Sequence, residues 1–314
     1  MKSGFVSLVG RPNAGKSSLL NRIVGVKLAI VSDKPQTTRT RILGVKNYPD
    51  GQVVFVDTPG VHRPLHRMNV RMMDAAVDSI RDVDVVGVVV DVSESQGAGT
   101  KYLVDLVRDA GAAVLILNKI DLMKKTRLLP ILDEWSRKHA WADIVPVSAK
   151  TGDNVDRLEQ VLLGHLSEGE PLYPTDYLTD QPERVLVAEM VREQVLRYTR
   201  DELPFSTAVL VDRFEDDRNN DDRNNDDRRK DGRKGAETGL LRVYCSILVE
   251  RESQKPIVIG KGGELIKRIG TAAREEIERF FGVRLFLDLR VTVKEQWRDD
   301  DRLLDRLGVR QPDK

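Results

Sequence analysis

The run "GRPNAGKS", Gly10 to Ser17, constrains this chain more than any other stretch. It fits G-x-x-x-x-G-K-[ST], follows the strand-like "FVSLVG" and opens the helix-like "GKSSLLNRIVG". Such a turn aims successive backbone N–H groups and a helix N-terminus at negative charge. Gly10 and Gly15 let the backbone wrap phosphate oxygens, with Arg11, Pro12, Asn13 and Ala14 forming the span between them and Ser18 following the cradle. Lys16 is expected to reach the β and γ phosphates, and Ser17 to offer its hydroxyl to Mg²⁺.

A phosphate cradle does not choose its base. "LNKID" does, because Asn118, Lys119 and Asp121 form N-K-x-D just after an apolar strand-like run. A carboxylate there accepts from guanine N1–H and the 2-amino group. Adenine has neither donor, so the carboxylate would be left unpaired, at a cost of about 1–3 kcal/mol. "VSAK", with Ser148, Ala149 and Lys150, follows the next strand and is expected to close over the base through its backbone. "VDTPG" places Asp57, Thr58, Pro59 and Gly60 after another strand; Asp57 is expected to hold Mg²⁺ through water and the Gly60 N–H to meet the γ phosphate. In "QTTRT" a threonine completes the metal shell, Thr38 in our reading with Thr37 as the alternative. Lys16, Thr38, Asp57 and Gly60 are thus the expected catalytic set, with GTP/GDP and Mg²⁺ as cofactors. Two of these loops would be ordered by the γ phosphate and released on hydrolysis, as in a switch.

These motifs, spread over residues 10 to 150, resemble the translation-factor-related GTPases of the TrmE–Era group. The resemblance implies an α/β Ras-like P-loop GTPase domain. It also implies that Asn13 holds K⁺ against the phosphates. Val61 stands where Ras-like enzymes carry the glutamine that orients water, His62 beside it reads as a surface residue, and no arginine finger can be assigned. Slow intrinsic hydrolysis follows, on the order of 10⁻⁴ s⁻¹ even for a glutamine-bearing switch.

The 314 residues suggest two domains. Up to 166, β-branched runs such as "VDVVGVVVDV" and "AAVLILNK" alternate with helical patterns, as in a mostly parallel sheet. "SEGEPLYPTDYLTDQP", 167–182, has no period and reads as a linker. From 183 to 314 the pattern is helix, two strands, helix, strand, helix, a small α+β domain. Between its two strands lies "EDDRNNDDRNNDDRRKDGRKGAE", with 216–237 read as a disordered polar insert. A net charge of +1 means that any nucleic-acid site is a local patch. The single cysteine, Cys245, excludes an internal disulfide and reads as a small buried residue of a reducing, cytoplasmic protein. "VVGVVVDV" is far shorter than the about 20 residues of a membrane span.

A second glycine turn, "GKGG" at Gly260, Lys261, Gly262 and Gly263, follows the apolar "PIVI" and caps a helix whose Leu265, Ile269, Ala273, Ile277 and Phe280 share one face. It lacks G-K-[ST] and any N-K-x-D of its own, so a second nucleotide site is not expected. A G-x-x-G loop of this kind resembles that of KH domains, here type II, which clamps single-stranded RNA backbone. Ile259, Lys267 and Arg268 join the expected RNA set, and Ile257, Val258 and Ile266 a groove for bases.

One GTPase domain followed by one KH domain is the order of the Era family. That resemblance implies an assembly factor of the small ribosomal subunit, bound near the three-prime end of its ribosomal RNA, monomeric, and peripheral on the inner membrane. GTP is expected to order Gln36–Arg41 and Asp57–Arg67, change how the domains dock and expose the RNA groove. A tRNA-modification GTPase of TrmE type is the alternative; the GTPase starting at residue 1 and the end "GVRQPDK", without a terminal cysteine, argue against it. A small-molecule P-loop kinase would not need N-K-x-D, and a double GTPase would need a second G-K-S.

Overall fold

The structure, a computed structural model, describes residues 1–34, 37–60, 66–94, 98–108, 110–199, 203–216 and 240–309. Val61, His62, Gln36 and nearly all of the 216–237 insert lie outside these residues. The chain divides into two compact units: Met1–Gln181 together with Gly308 and Val309, and Pro182–Leu307.

The first unit runs β1 (Lys2–Gly10), α1 (Lys16–Val24), β2 (Ile42–Tyr48), β3 (Gly51–Asp57), α2 (Arg67–Arg81), β4 (Val85–Asp91), α3 (Ala98–Leu106), β5 (Ala112–Asn118), α4 (Leu128–Ser136), β6 (Asp143–Pro146) and α5 (Val155–His165). The sheet order is β2-β3-β1-β4-β5-β6, with only β2 antiparallel to its neighbour. The unbroken apolar runs follow from burial on both faces. Along β5, Val114 and Ile116 enter one core with Leu19, Ile23 and Leu158, while Leu115 and Leu117 enter the other with Ala76, Leu103 and Trp135. The carboxyl ends of β1, β3, β4 and β5 come to one edge, the usual place for a ligand in such sheets.

The segment from 167 on is held against this sheet. Buried Gln52 donates to Tyr173 O at 2.8 Å and accepts from the N–H groups of Leu172 and Tyr173 at 2.8 and 2.9 Å. Val45 N donates to Leu178 O at 2.9 Å, and Thr179 Oγ1 to Leu43 O at 2.6 Å. The segment thereby covers an edge strand, which otherwise presents unpaired backbone groups.

The second unit runs α6 (Glu183–Tyr198), α7 (Leu203–Ser206), β7 (Ala208–Asp216), β8 (Leu240–Val249), α8 (Lys255–Ile259), α9 (Glu264–Phe281), β9 (Arg284–Val293) and α10 (Asp301–Arg306). Its sheet order is β7-β8-β9; β8 pairs antiparallel with β7 and parallel with β9. Leu241, Val243, Cys245, Ile247 and Val249 alternate inward and meet Ile269, Ala273 and Ile277, one stripe of α9. Burial pushes the Cys245 thiol up to about 12, so it stays protonated and inert at neutral pH. The closing charged run is less helical than its pattern suggests. Trp297 sits in a 3-10 turn, fully buried, its indole N–H donating to Ser206 O at 2.9 Å. Asp300 caps the short α10 through Leu303 N at 3.2 Å. No helix among the described residues is long and apolar enough to cross a membrane.

Candidate functional site

Gly10 to Ser17 joins β1 to α1. Two glycines here are dictated by contact. Gly15 has φ 94°, and a Cβ on it would stand 2.2 Å from Asn118 Nδ2; a Cβ on Gly60 would stand 2.8 Å from the Pro12 backbone. The loop after β3 therefore packs directly on the P-loop. Beside them opens a cleft of about 270 Å³ lined by Pro12, Asn13, Gly15, Lys16, Ser17, Ser18, Thr37, Thr38, Gly60 and Lys119, among others.

At the α1 end of the cleft three oxygen donors converge. Ser17 Oγ lies 2.7 Å from Thr38 Oγ1 and donates to Asp57 Oδ2 at 2.7 Å; Thr38 Oγ1 donates to the same oxygen at 3.5 Å. Asp57 is fully buried, and its Oδ1 has no hydrogen-bond partner. Burial raises the Asp57 carboxyl to about 6 against the opposing pull of Lys16, Ser17, Thr38 and the Thr58 N–H. A buried carboxylate oxygen without a partner, beside two hydroxyls, is a donor set of hard oxygens that fits Mg²⁺. Thr37 is turned elsewhere, its hydroxyl donating to Lys34 O at 2.6 Å. Lys16 Nζ donates to the carbonyls of Gly10 and Arg11 at 3.1 Å each. Burial lowers its ammonium to about 8, with Asp57 opposing. A triphosphate beside Lys16 and a divalent cation beside Asp57 would each favour the charged form, so both groups gain from a ligand of that composition.

The base end is a hydrogen-bonded junction of three loops. Asn118 Nδ2 donates to Ala14 O at 2.9 Å, and its Oδ1 accepts from Ala149 N at 3.0 Å. Asp121 Oδ1 accepts from Ser148 Oγ at 2.6 Å, which fixes the carboxylate expected to read the base. Lys119 takes φ 68° and pairs with Asp91 at 2.5 Å. Lys150 is exposed. Asn13, also left-handed at φ 61°, donates through Nδ2 to Asp33 O at 2.8 Å, joining the P-loop to the loop that carries Thr38.

Three supporting residues carried no motif. Arg22, in the last turn of α1, donates through Nε to Ala149 O at 3.1 Å and through Nη2 to Lys150 O, fixing the backbone of the loop after β6. Asn21 accepts from the N–H groups of Leu28 and Ala29 at 2.9 Å and shapes the exit from α1. Asp91 is the third. Each is an ordinary polar residue beside a motif, and only the folded geometry gives it a partner.

In the second unit the GKGG loop joins α8 to α9. Gly260, Gly262 and Gly263 have φ 76°, 59° and 80°, and the space around a Cβ on Gly262 is open, so this backbone stands out from the fold. Lys261, Lys267 and Arg268 are exposed. The Arg268 guanidinium lies 4.9 Å from the Tyr198 ring centroid. "PIVI" is a short helix rather than an extended stretch, and this corrects one groove residue: Val258 is fully buried in the core. Its neighbour Ile257 is 53% exposed, and Ile259 and Ile266 are half-buried. Ile257, Val258 and Ile259, three successive residues on one helical turn, cannot all face one groove.

Comparison with known proteins matches both units. A family model described as "50S ribosome-binding GTPase" matches residues 5–119, and one described as "KH domain" matches 230–298. The chain is 45% identical over 308 residues to "GTPase Era" of Geobacter metallireducens, covering 98% of this chain and 97% of the relative. It is 42% identical over 309 residues to "GTPase Era" of Heliobacterium modesticaldum, at 98% and 97% coverage. A solved variant of Aquifex aeolicus Era bound to GDP·AlF4⁻ superposes with a TM-score of 0.87 at 36% identity, covering 99% of this chain and 100% of that one. Era in complex with MgGDPNP and nucleotides 1506–1542 of 16S ribosomal RNA gives 0.89 at 36% identity, with 99% of each chain covered. Likeness of this extent, running through both units, means that the chain belongs to the Era family of GTPases.

Proposed function

We propose that this chain is a GTP-hydrolysing switch that grips small-subunit ribosomal RNA through its KH unit and acts in assembly of the small ribosomal subunit. The observation that carries the reading is the contrast between its two glycine loops. The first is surrounded by metal donors and a base-reading carboxylate; the second offers bare backbone, Lys261 and a half-exposed apolar helix. The solved relative in complex with MgGDPNP and nucleotides of 16S ribosomal RNA supports the two kinds of ligand the reading assigns.

In this reading Lys16 and the backbone N–H groups of Asn13 to Ser18, beyond Pro12, which has none, hold the phosphates, and Asp121 reads guanine while Asn118 keeps the P-loop and base loops together. Ser17, Thr38 and Asp57 would hold Mg²⁺, which supplies positive charge to the β and γ oxygens. Gly60 meets the γ phosphate by its N–H. Gly260 to Gly263, with Lys267 and Arg268, take the RNA backbone, and Ile257, Ile259 and Ile266 the bases. GTP favours the RNA-binding state only to the extent that the two states differ in affinity for it.

The description of the matching GTPase family speaks of the large subunit, and the solved RNA complex of 16S; we take the small subunit. Filter binding decides this on the RNA side. An RNA of the three-prime end of 16S should bind at least about 10-fold tighter than a shuffled control; equal affinities would leave a non-specific RNA binder.

Two narrower readings accompany this one. K⁺ is held near Asn13, whose bond to Asp33 O brings a backbone carbonyl to the same spot; hydrolysis should be several-fold faster in KCl than in NaCl, and equal rates would dismiss the site. Exposed Leu122 and Leu129, at 59% and 73%, flank Lys124, Lys125 and Arg127, a surface suited to anionic lipid. Failure to float with anionic vesicles would remove that reading.

A further inference from the structure

Asp91 ends β4 beside the base loop and belongs to none of the nucleotide motifs. Its side chain is 5% exposed. Ser93 donates to Oδ1 twice, from its N–H at 2.8 Å and its hydroxyl at 2.6 Å. That local turn fixes the carboxylate rotation. Oδ2 is left to Lys119 Nζ at 2.5 Å. The pair is built on the sheet: Asp91 stands opposite Asn118 in the β4–β5 register, and Val92 N donates to Asn118 O at 3.1 Å.

Lys119 needs such a hold. Its φ of 68° is a conformation that residues with a Cβ disfavour, and it persists only where the surroundings over-determine it. Asn118 pins the loop on one side through Ala14 and Ala149, but it does not hold the lysine side chain. A flexible ammonium lining a cleft built for phosphate would otherwise be drawn toward the phosphates. Asp91 neutralises it and keeps it at the base end.

We propose that Asp91 is a positioning residue for the nucleotide: acting through Lys119, it presents the base loop already formed, so that binding does not have to order it. The proposal rests on the guanine-nucleotide reading of this site. Asp91→Asn keeps the shape and the acceptor for Ser93 and removes the charge. We expect the Kd values of GDP and GTP, measured with fluorescent analogues, to rise together by about 10- to 100-fold. Turnover at saturating GTP should stay within about 2-fold, since uniform binding is what is lost. Ser93→Ala, which removes the hydroxyl bond to Oδ1 and keeps the N–H bond, should weaken binding less, in the same direction.

A residue that only supports the fold would lower the thermal stability of the nucleotide-free protein and would weaken binding equally with or without Lys119. Here the Asp91→Asn effect should vanish in a Lys119→Met background, with the melting temperature of the nucleotide-free protein little changed. Unchanged affinities in the single variant, or the same loss in both backgrounds, would overturn the proposal. Should the wild type itself fail to bind guanine nucleotides, the nucleotide reading falls first. Should it bind and Asp91→Asn bind equally well, only this inference falls.

Discussion

Lys16→Ala is expected to weaken GTP binding by about 100-fold or more and to abolish measurable hydrolysis, because it removes a charged donor from the phosphates. The same substitution should leave the nucleotide-free protein at least as stable as the wild type at pH 7. The sign follows from linkage. Burial holds the Lys16 ammonium at about 8, below its ordinary 10.5. The folded state therefore binds this proton less tightly than the unfolded chain, and the charged lysine costs stability, on the order of 3 kcal/mol, at every pH below about 8. The cost fades between about 8 and 10.5, where the folded amine is already neutral, and is absent above that window. Alanine has no such cost to lose. Thermal melts of the nucleotide-free proteins at pH 7 and pH 10 test this: the advantage of the variant should shrink at the higher pH. Normal GTP turnover by Lys16→Ala would mean that the cleft is not the hydrolytic site.

Asp at Lys261 and Gly262 together should abolish RNA binding while leaving GTP affinity and basal hydrolysis as in the wild type. Lys261 is exposed and a Cβ on Gly262 meets open space, so the pair changes charge without disturbing the core. Aspartate also tolerates the left-handed φ of 59° at Gly262 better than most residues. Two carboxylates in place of one ammonium repel the backbone that the loop is built to grip. The milder Lys261→Ala should reduce the slope of log affinity against log salt by roughly 0.7, the value for one single-stranded phosphate contact. Loss of GTP binding along with RNA binding would contradict the division of labour between the two loops.

Much of this was legible before folding, for reasons that differ from place to place. The strands of the first unit announce themselves because both faces are buried, so that β4 and β5 read as unbroken apolar runs. The P-loop and the loop after β3 are legible because glycine is forced at 15, where Asn118 approaches, and at 60, where Pro12 does, and because Lys16 and Ser17 stand where the proposed phosphate and metal chemistry would need them. Position 38 could be preferred to 37 only weakly from sequence; the fold turns one hydroxyl to Ser17 and Asp57 and the other to Lys34 O. Val258 shows the opposite failure. An apolar tetrad with no period hides a helical turn, and only the turn decides which residue meets the core. The prolines and polar residues of the stretch from 167 read as a connection, and they say nothing of the buried Gln52 that grips it. Arg22 and Asp91 carry no signal of their role, since Ala149 and Lys119, the partners that give it, lie 127 and 28 residues away in sequence.

In the function proposed above, GTP decides when this protein holds the small ribosomal subunit. Co-sedimentation of the purified protein with isolated small and large subunits, in GDP and in a non-hydrolysable GTP analogue, addresses it most directly. Pelleting with small subunits is expected in the analogue, little in GDP, and none with large subunits in either state. Equal pelleting in both nucleotide states, or binding to large subunits instead, would contradict it.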